Sequence, residues 1–428
     1  MQKKLLILSV DALVADDIEY LSSLPNFQKY IAGGAAVEKM RSIYPSITYP
    51  AHTSIITGTY PNRHKVYSND YFEAGLKKYP WRWFADNLVV PDLFQAAKVK
   101  GLKTASIFWP VTGNHPYIDY LIDEYWAQSK EETSRDAFAR AGTSEEVLTR
   151  VVDKHIGGLV DRVHPGCDYF LVKCTCDIIR EFNPSLIALH PANIDTYRHH
   201  TGLFNESIRQ GIREVDEWIG MLAAALQDVG ALEKTDFVLL SDHGQMELKR
   251  IIHPNVIFAD HGLIQYDSEG KLTQWKAFCH SLGMSAAVYL KDPDVYDEVY
   301  QLLCHMRDEQ IYGISEVFTE EEANEKEHLG GDFAFVLETD GYTSFGDNYI
   351  RPIVTNYELS DYRFGRASHG YLPDKGPQPV FYAKGPSFKE GVVLDRRSIV
   401  DIAPTLARAL GVNLPDTDGT VMEELLAE

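Results

Sequence analysis

Leu5-Leu6-Ile7-Leu8-Ser9-Val10, closed at once by Asp11, is the stretch from which the architecture can be read. Six residues, apolar but for Ser9 and ended by a charge, have the length of a β-strand and are too short for a helix or a membrane span. Similar runs recur at Thr104 to Phe108, Tyr169 to Cys174 and Phe237 to Leu240. Helical patterns separate them. Val90, Leu93, Phe94 and Ala97 share one face after a start signal at Pro91, and Ser144 to Val163 carries Val147, Leu148, Val151, Val152, Ile156 and Leu159 near a 3.6-residue period. Strands alternating with helices predict an α/β fold, a mostly parallel sheet sandwiched by helices. In such sheets ligands bind beyond the carboxyl ends of the strands.

The rhythm changes from about Pro254 to Asp361, where strands are expected at Ser285 to Leu290 and Phe333 to Leu337, a helix at Val295 to Met306, and an acidic run spans Glu320 to Glu327. We read residues 255–361 as an inserted α+β cap and residues 1–254 with 362–428 as the core. The core pattern resumes with a strand at Pro379 to Ala383 and a helix at Ser398 to Leu410 that stops at Gly411, a usual left-handed cap.

The 428 residues are 45% hydrophobic and 24% charged, an ordinary globular composition. The formal net charge of −21 repels polyanions and argues against duplex nucleic acid as a partner. No run of about 18 apolar residues is present, so no membrane span is expected. Lys3-Lys4 before Leu5 imitates a signal peptide, but Asp11 interrupts the apolar run and no clean cleavage site follows. Of five cysteines, Cys174 and Cys176 are two apart in a strand-like run, at the limit of disulfide reach. Free thiols and a cytoplasmic location are expected. Oligomeric state cannot be read from the sequence.

Four places carry candidate chemistry. Asp11 at its strand end either holds a metal or caps the next helix. Asp242-His243, just past the strand Phe237 to Leu240, puts two ligand-type side chains at a strand exit, with Gly244 allowing the chain to turn. In Asp195-Thr196-Tyr197-Arg198-His199 the i, i+4 spacing places Asp195 and His199 on one helical face. His369 stands in a loop, Ser368-His369-Gly370. Singly each has a bland alternative, such as a turn aspartate, a surface ion pair or a loop histidine. Together three carboxylates and three imidazoles offer three ligands to each of two divalent ions, with Zn²⁺ the best match and Mn²⁺ or Fe as alternatives. Ions roughly 4 Å apart can grip both sides of a phosphoryl group. Thr48, before a helix that Pro50 can start and Gly58 can end, offers a hydroxyl where the helix dipole favours an anion.

With these residues in view, the chain resembles the alkaline phosphatase superfamily, and within it the nucleotide pyrophosphatase/phosphodiesterase group. The resemblance rests on Val10-Asp11, on Thr48-Tyr49-Pro50-Ala51-His52 with Gly58, Tyr60-Pro61 and His64, and on Phe108-Trp109-Pro110. Ser241-Asp242-His243-Gly244, Ser368-His369-Gly370-Tyr371, and the later Ala383-Lys384-Gly385-Pro386, Asp401-Ile402-Ala403-Pro404-Thr405 and Asp418-Gly419 extend it. It implies an alkaline phosphatase-like core, Asp195, His199 and His369 on one metal, Asp11, Asp242 and His243 on the other, and Thr48 as a nucleophile that also contacts metal. Two departures stand out. Ala51 replaces an asparagine the group places three residues after the nucleophile to hold a phosphate oxygen, and Asn69 is the candidate substitute. Thr48 and His52 stand where sulfatases carry a Cys or Ser and an Arg, which argues against sulfatase activity.

The leading expectation is a two-metal phosphoric ester hydrolase of phosphodiesterase or nucleotide pyrophosphatase type, acting on a small phosphoester, a nucleotide among the candidates, through a phosphoryl-threonine. The alternatives are a phosphomonoesterase or phosphonate hydrolase on the same centre, or a metal-binding protein without turnover. Tyr71, Phe72, Tyr79, Trp81, Trp83 and Phe84 are expected to be mostly packing, with one or two lining a pocket, and Arg198 and Arg63 are candidate cations for extra phosphate charge.

Overall fold

The computed structural model describes residues 3–427 apart from Lys77 and Asp161. Its centre is an eight-stranded sheet of β1 (Lys4–Ser9), β2 (Ala35–Arg41), β3 (Thr104–Ile107), β4 (Tyr120–Ile122), β5 (Leu186–Leu189), β6 (Thr235–Leu240), β7 (Phe381–Lys384) and β8 (Val393–Ser398), in the order β8-β2-β7-β6-β1-β5-β3-β4. Only β7 runs antiparallel to its neighbours β2 and β6. The apolar run Leu5 to Leu8 within β1 follows from its place. Leu6 and Leu8 point into a core shared with helices α3 (Gly166–Phe182) and α5 (Glu206–Asp228), which precede and follow α4 (Asn193–Thr201), while Leu5 and Ile7 point into a second core on the opposite face. The second core is closed by α1 (Thr48–Thr57), α2 (Leu93–Val99) and α6 (Ile402–Leu410). A strand buried on both sides has no polar face to show.

The fold differs from the sequence reading in several places. Tyr169 to Cys174 is not a strand but part of α3, in which Phe170, Leu171, Cys174, Ile178 and Ile179 repeat at helical spacing over 17 residues. A short apolar run carries no period of its own, and the extension of the pattern to Asn183, which takes up the left-handed conformation, decides for helix. The strand of this region is Leu186–Leu189 instead. Cys174 and Cys176 are therefore helical, and all five cysteines are free. Pro91 lies outside α2, because Asp92 is the N-cap and accepts from the Gln95 N–H at 2.8 Å. Residues Glu145 to Gly158 are helical, as expected for this segment, but wound in short α, π and 3₁₀ turns that end at Gly157-Gly158.

Between Pro254 and Asp361 the chain builds an antiparallel sheet in the order Ala277–Ser281, Ser285–Leu290, Phe335–Thr339, Ile314–Thr319, packed against a helix at Tyr296–Asp308. The acidic run Glu320–Glu327 forms a helix, since Thr319 and Glu322 make a reciprocal capping box and three glutamates occupy the favourable N-terminal turn. Among the described residues no helix is long and apolar enough to cross a membrane.

Leu8 is fully buried in the strand flanked by β5 and β6. Leu8→Ala should cost about 2–5 kcal/mol, read as a lowered denaturation midpoint.

Candidate active site

Sheet order assembles the site. β6, β1 and β5 are neighbours, so the residues leaving their carboxyl ends, Asp242-His243, Asp11 and His190, meet. Backbone bonds hold the exits together, with the Val10 N–H donating to Leu240 O and the Asp11 N–H to Pro191 O. From β5 the chain enters α4, whose first turn carries Asp195 and whose last carries His199. His369 arrives from 126 positions beyond His243 by strand pairing: Ser368 pairs with Met246 and Ala367 with Glu247. Two glycines permit this convergence. A Cβ on Gly244 would lie 2.2 Å from Pro377 O, and Gly370, at φ +96°, lies where its Cβ would meet Leu282 O at 2.1 Å.

The six expected ligands are brought together and buried. His243 Nε2 lies 3.2 Å from Asp242 Oδ2 and 3.5 Å from Asp11 Oδ1. Asp195 Oδ2 is 3.1 Å from His199 Nε2, and Asp195 Oδ1 is 3.8 Å from His369 Nε2. Asp11, Asp242 and His243 form one metal-sized cluster, and Asp195, His243 and His369 another. Their unsatisfied atoms also fit a metal centre. Asp11 Oδ1, Asp242 Oδ2 and His199 Nε2 are buried without hydrogen-bond partners, which is costly unless a cation meets them. Neighbouring polar groups aim the ligands: His199 Nδ1 faces Ala367 O at 2.7 Å, and Gln245 Nε2 donates to Asp195 Oδ1 at 2.5 Å.

The electrostatics carry the same message. Burial pushes the Asp11 and Asp242 carboxyls well up, and the charges of Asp195 and Asp11 respectively add to it. Burial drives His369 well below its ordinary value and His243 down to about 4, leaving neutral rings able to ligate. Burial also opposes the charge on Asp195, but His199 and then His369 outweigh it and hold that carboxyl well below its usual range.

Thr48 begins α1, and its Oγ1 is 3.1 Å from His243 Nε2. Gly58 ends that helix in the left-handed conformation, as the sequence signals. His52 lies fully buried beneath it, with Nδ1 2.9 Å from Thr48 O and Nε2 2.8 Å from Ser9 Oγ, so it ties α1 to the exit of β1. His64 is equally buried, between Ser54 Oγ and the Val66 N–H, and touches none of the ligands. Ala51 packs in the core with Ile55, where no phosphate could reach. Asn69 instead lines the cavity above Thr48, and because its Oδ1 accepts the Tyr49 N–H at 2.9 Å its NH₂ is turned the other way, toward Tyr362 OH.

That cavity, about 700 Å³, opens over Thr48, Asp11, Asp195, His199 and His369. Of the six rings singled out in the sequence, Tyr79, Trp81 and Trp83 line it, while Phe72 stacks on Tyr289 and Phe84 packs on Tyr125. Trp126 and Tyr362 complete the aromatic wall, the latter stacked on His369 at 5.7 Å. Neither suggested arginine takes part: Arg198 is buried against Asp17 at 2.5 Å, and Arg63 pairs with Asp418. The cavity's cations are Lys78, Arg162 and Arg363. Arg162 lies over Trp81 and Trp126, and among the described residues it has no ion pair. Sequence reasoning also missed His190, whose Nε2 is 3.3 Å from Asp11 Oδ2 and whose only signal was its place directly after an apolar run.

A sequence model of the type I phosphodiesterase / nucleotide pyrophosphatase family matches residues 5–349, a span that holds five of the six ligands and Thr48. The chain belongs to this family. An ectonucleotide pyrophosphatase/phosphodiesterase of Caenorhabditis elegans is 24% identical over 97% of the chain, which spans only 44% of that protein's length. The mouse bis(5′-adenosyl)-triphosphatase is 22% identical over 98% of the chain and 80% of its own length. In fold, murine ectonucleotide pyrophosphatase/phosphodiesterase 5 is similar with a TM-score of 0.69 at 19% identity, over 99% of this chain and all of that one.

Behind the cavity wall, His280 is fully buried with Nε2 3.0 Å from Asp70 Oδ1 and Nδ1 3.1 Å from Asp347 Oδ2. Burial opposes its charge, but Asp347 and Asp70 outweigh that and lift it from 6.5 to about 9. The charged ring's stabilisation is therefore complete below pH 6.5 and disappears as pH rises through 9. Unfolding free energies of the parent and His280→Gln should differ by a constant amount below about pH 6 and converge between 6.5 and 9.

Proposed function

We propose that this protein is a two-metal hydrolase of nucleotide-type phosphodiesters in which Thr48 is the nucleophile. The observation that carries the proposal is Thr48 Oγ1 at the floor of an aromatic-walled cavity, at a helix start and 3.1 Å from His243 Nε2, beside buried carboxylates and imidazoles with unsatisfied atoms. Asp11, Asp242 and His243 would hold one ion and Asp195, His199 and His369 the other. Mixed oxygen and nitrogen donors favour Zn²⁺, with Mn²⁺ and Fe as alternatives. When bound, such ions stabilise charge on phosphoryl oxygens and lower the proton affinity of a hydroxyl in contact with them.

The chain's own groups supply the rest. Thr48 Oγ1 gives up its proton and forms a bond to phosphorus as the bond to the leaving oxygen breaks, the leaving group departs protonated, and a phosphoryl-threonine that still carries the second ester group results. Water then attacks phosphorus and frees Thr48 together with a phosphomonoester. At the start of α1 the Tyr49 N–H is taken by Asn69, Pro50 has none and the Ala51 N–H donates to Ile47 O, so the Thr48 N–H is the one left to face developing negative charge. Asn69, its carbonyl committed to Tyr49 and one amide hydrogen directed at Tyr362 OH, has a second amide hydrogen to offer a phosphoryl oxygen. Trp81, Trp83, Trp126, Tyr79 and Tyr362 give a flat leaving group surfaces on which to stack. One structural relative is an inactive variant in complex with AMP, which supports a nucleotide as substrate. A monoesterase on the same centre is the second reading, and Arg162, a cation with no acidic partner among the described residues, favours it. Five free cysteines support a reducing, cytoplasmic setting.

Thr48→Ala should lower turnover on the order of 10⁴-fold while keeping bound metal. Asp242→Asn and His369→Ala should instead lose metal, read by elemental analysis. With Zn²⁺ or Mn²⁺ added, bis(p-nitrophenyl) phosphate should turn over faster than p-nitrophenyl phosphate. The reverse preference would favour the monoesterase, and an unimpaired Thr48→Ala enzyme would remove Thr48 from the mechanism.

A further inference from the structure

Outside the six-ligand centre, one more cluster has ligand chemistry. His164, Cys167 and Asp168 stand at the start of α3, and one donor atom from each lies within 4.8 Å of the other two. His164 Nδ1 is 2.7 Å from Asp168 Oδ2, Cys167 Sγ is 3.4 Å from His164 Nδ1, and Cys167 Sγ is 4.0 Å from Asp168 Oδ2. In a tetrahedral zinc site with Zn–S near 2.3 Å and Zn–N or Zn–O near 2.0 Å, donors are about 3.3–3.5 Å apart, so small side-chain shifts close the three onto one ion. We propose that His164, Cys167 and Asp168 form a third metal site, separate from the two-metal centre, that takes a borderline-soft divalent cation such as Zn²⁺.

Four further observations support it. Asp168 is fully buried, and its other oxygen accepts the Ala192 N–H at 2.8 Å, which fixes the carboxylate as a second-sphere partner fixes a ligand. Cys167 is buried, and among the described residues His164 and Asp168 are its sulfur's only hydrogen-bond partners. A His–Asp ion pair alone would leave the sulfur's position beside both groups without a purpose. His164 also lines the main cavity, which gives an ion a path inward. Finally, the donor set is a thiolate, an imidazole and a carboxylate, three protein ligands that leave a fourth position open.

The site would have a structural consequence. Ala192 lies between His190 and Asp195, so a metal on Asp168 would fasten the segment bearing Arg162 and His164 to the loop that delivers Asp195. One wall of the cavity would then depend on this ion. The inference does not rest on the proposed hydrolase, because none of its six ligands is a thiolate.

That difference gives the test. Apoprotein prepared with a chelator is titrated with Co²⁺ and followed by near-ultraviolet absorption and metal analysis. The expected result is a sulfur-to-cobalt charge-transfer band that accompanies one bound equivalent. Cys167→Ser, a nearly isosteric change, should abolish the band and that equivalent while leaving ions held by oxygen and nitrogen in place, and Asp168→Asn should weaken the same equivalent by roughly tenfold or more. The parent protein decides the matter even if a variant misfolds. Absence of the band in the parent, or its persistence in Cys167→Ser, would overturn the proposal and leave the cluster as a His164–Asp168 ion pair beside a thiol.

Discussion

Three carboxylates, Asp11, Asp195 and Asp242, are buried at the exits of neighbouring chain segments with no lysine or arginine paired to them among the described residues, and the rest of the site depends on that constraint. Only imidazoles and dipoles face them. Burying like charges costs several kcal/mol per ion without compensation. The sheet's two cores supply the stability that allows such an arrangement, and a divalent cation compensates the charge better than any side chain in reach. The centre is thus a place where folding tolerates locally unfavourable electrostatics that a metal relieves.

The parallel sheet makes this convergence inexpensive in chain geometry. β6, β1 and β5 end side by side, so three ligand-bearing segments start next to one another, with Gly244 and the left-handed Ala12 turning two of the exits. His369 requires more: an antiparallel bridge from Ala367–Ser368 to Met246–Glu247 and two glycines whose neighbours leave no room for a Cβ. Thr48 is set differently again, on a helix that His52 clamps to the end of β1. Thr48 and Asp11 are therefore tied to the same central strand, and rigidity of this kind would keep reacting groups near productive geometry in the proposed reaction.

Legibility from sequence followed the range of the interaction. β1 was readable because burial on both faces writes itself into consecutive residues, and Asp11, Asp242-His243 and Asp195/His199 because ligand types at strand exits or at i, i+4 spacing are local patterns. Tyr169 to Cys174 reads as a strand because so short a run, apolar but for Lys173, carries no period; the helix shows only once Cys167 through Ile179 is taken together. Trp126, Arg162 and Tyr362 have no local mark, and His190 has only its place after the apolar run Leu186–Leu189. Their presence in the cavity follows from segments far apart in sequence packing around it. Arg198 and Arg63 illustrate the converse, since a cation's neighbours in the chain do not reveal that Asp17 and Asp418 have claimed it.

Charge distribution bears on how an anionic substrate would reach such a centre. A net charge of −21 opposes the approach of phosphoesters at long range. Attraction must therefore be local. At physiological ionic strength the far field fades over about 8 Å, so a substrate near the mouth responds mainly to what lines it. There Arg162 is held over two tryptophans without an acidic partner among the described residues, while Arg363 is neutralised by Asp361 and Asp347. Arg162 and Lys78, without acidic partners among the described residues and beside stacking surfaces, would favour small, flat anions and give no continuous cationic track for a polymer. An acidic surface that opposes polyanions at long range and a mouth with local cations would thus be compatible with the small phosphoesters of the proposed function.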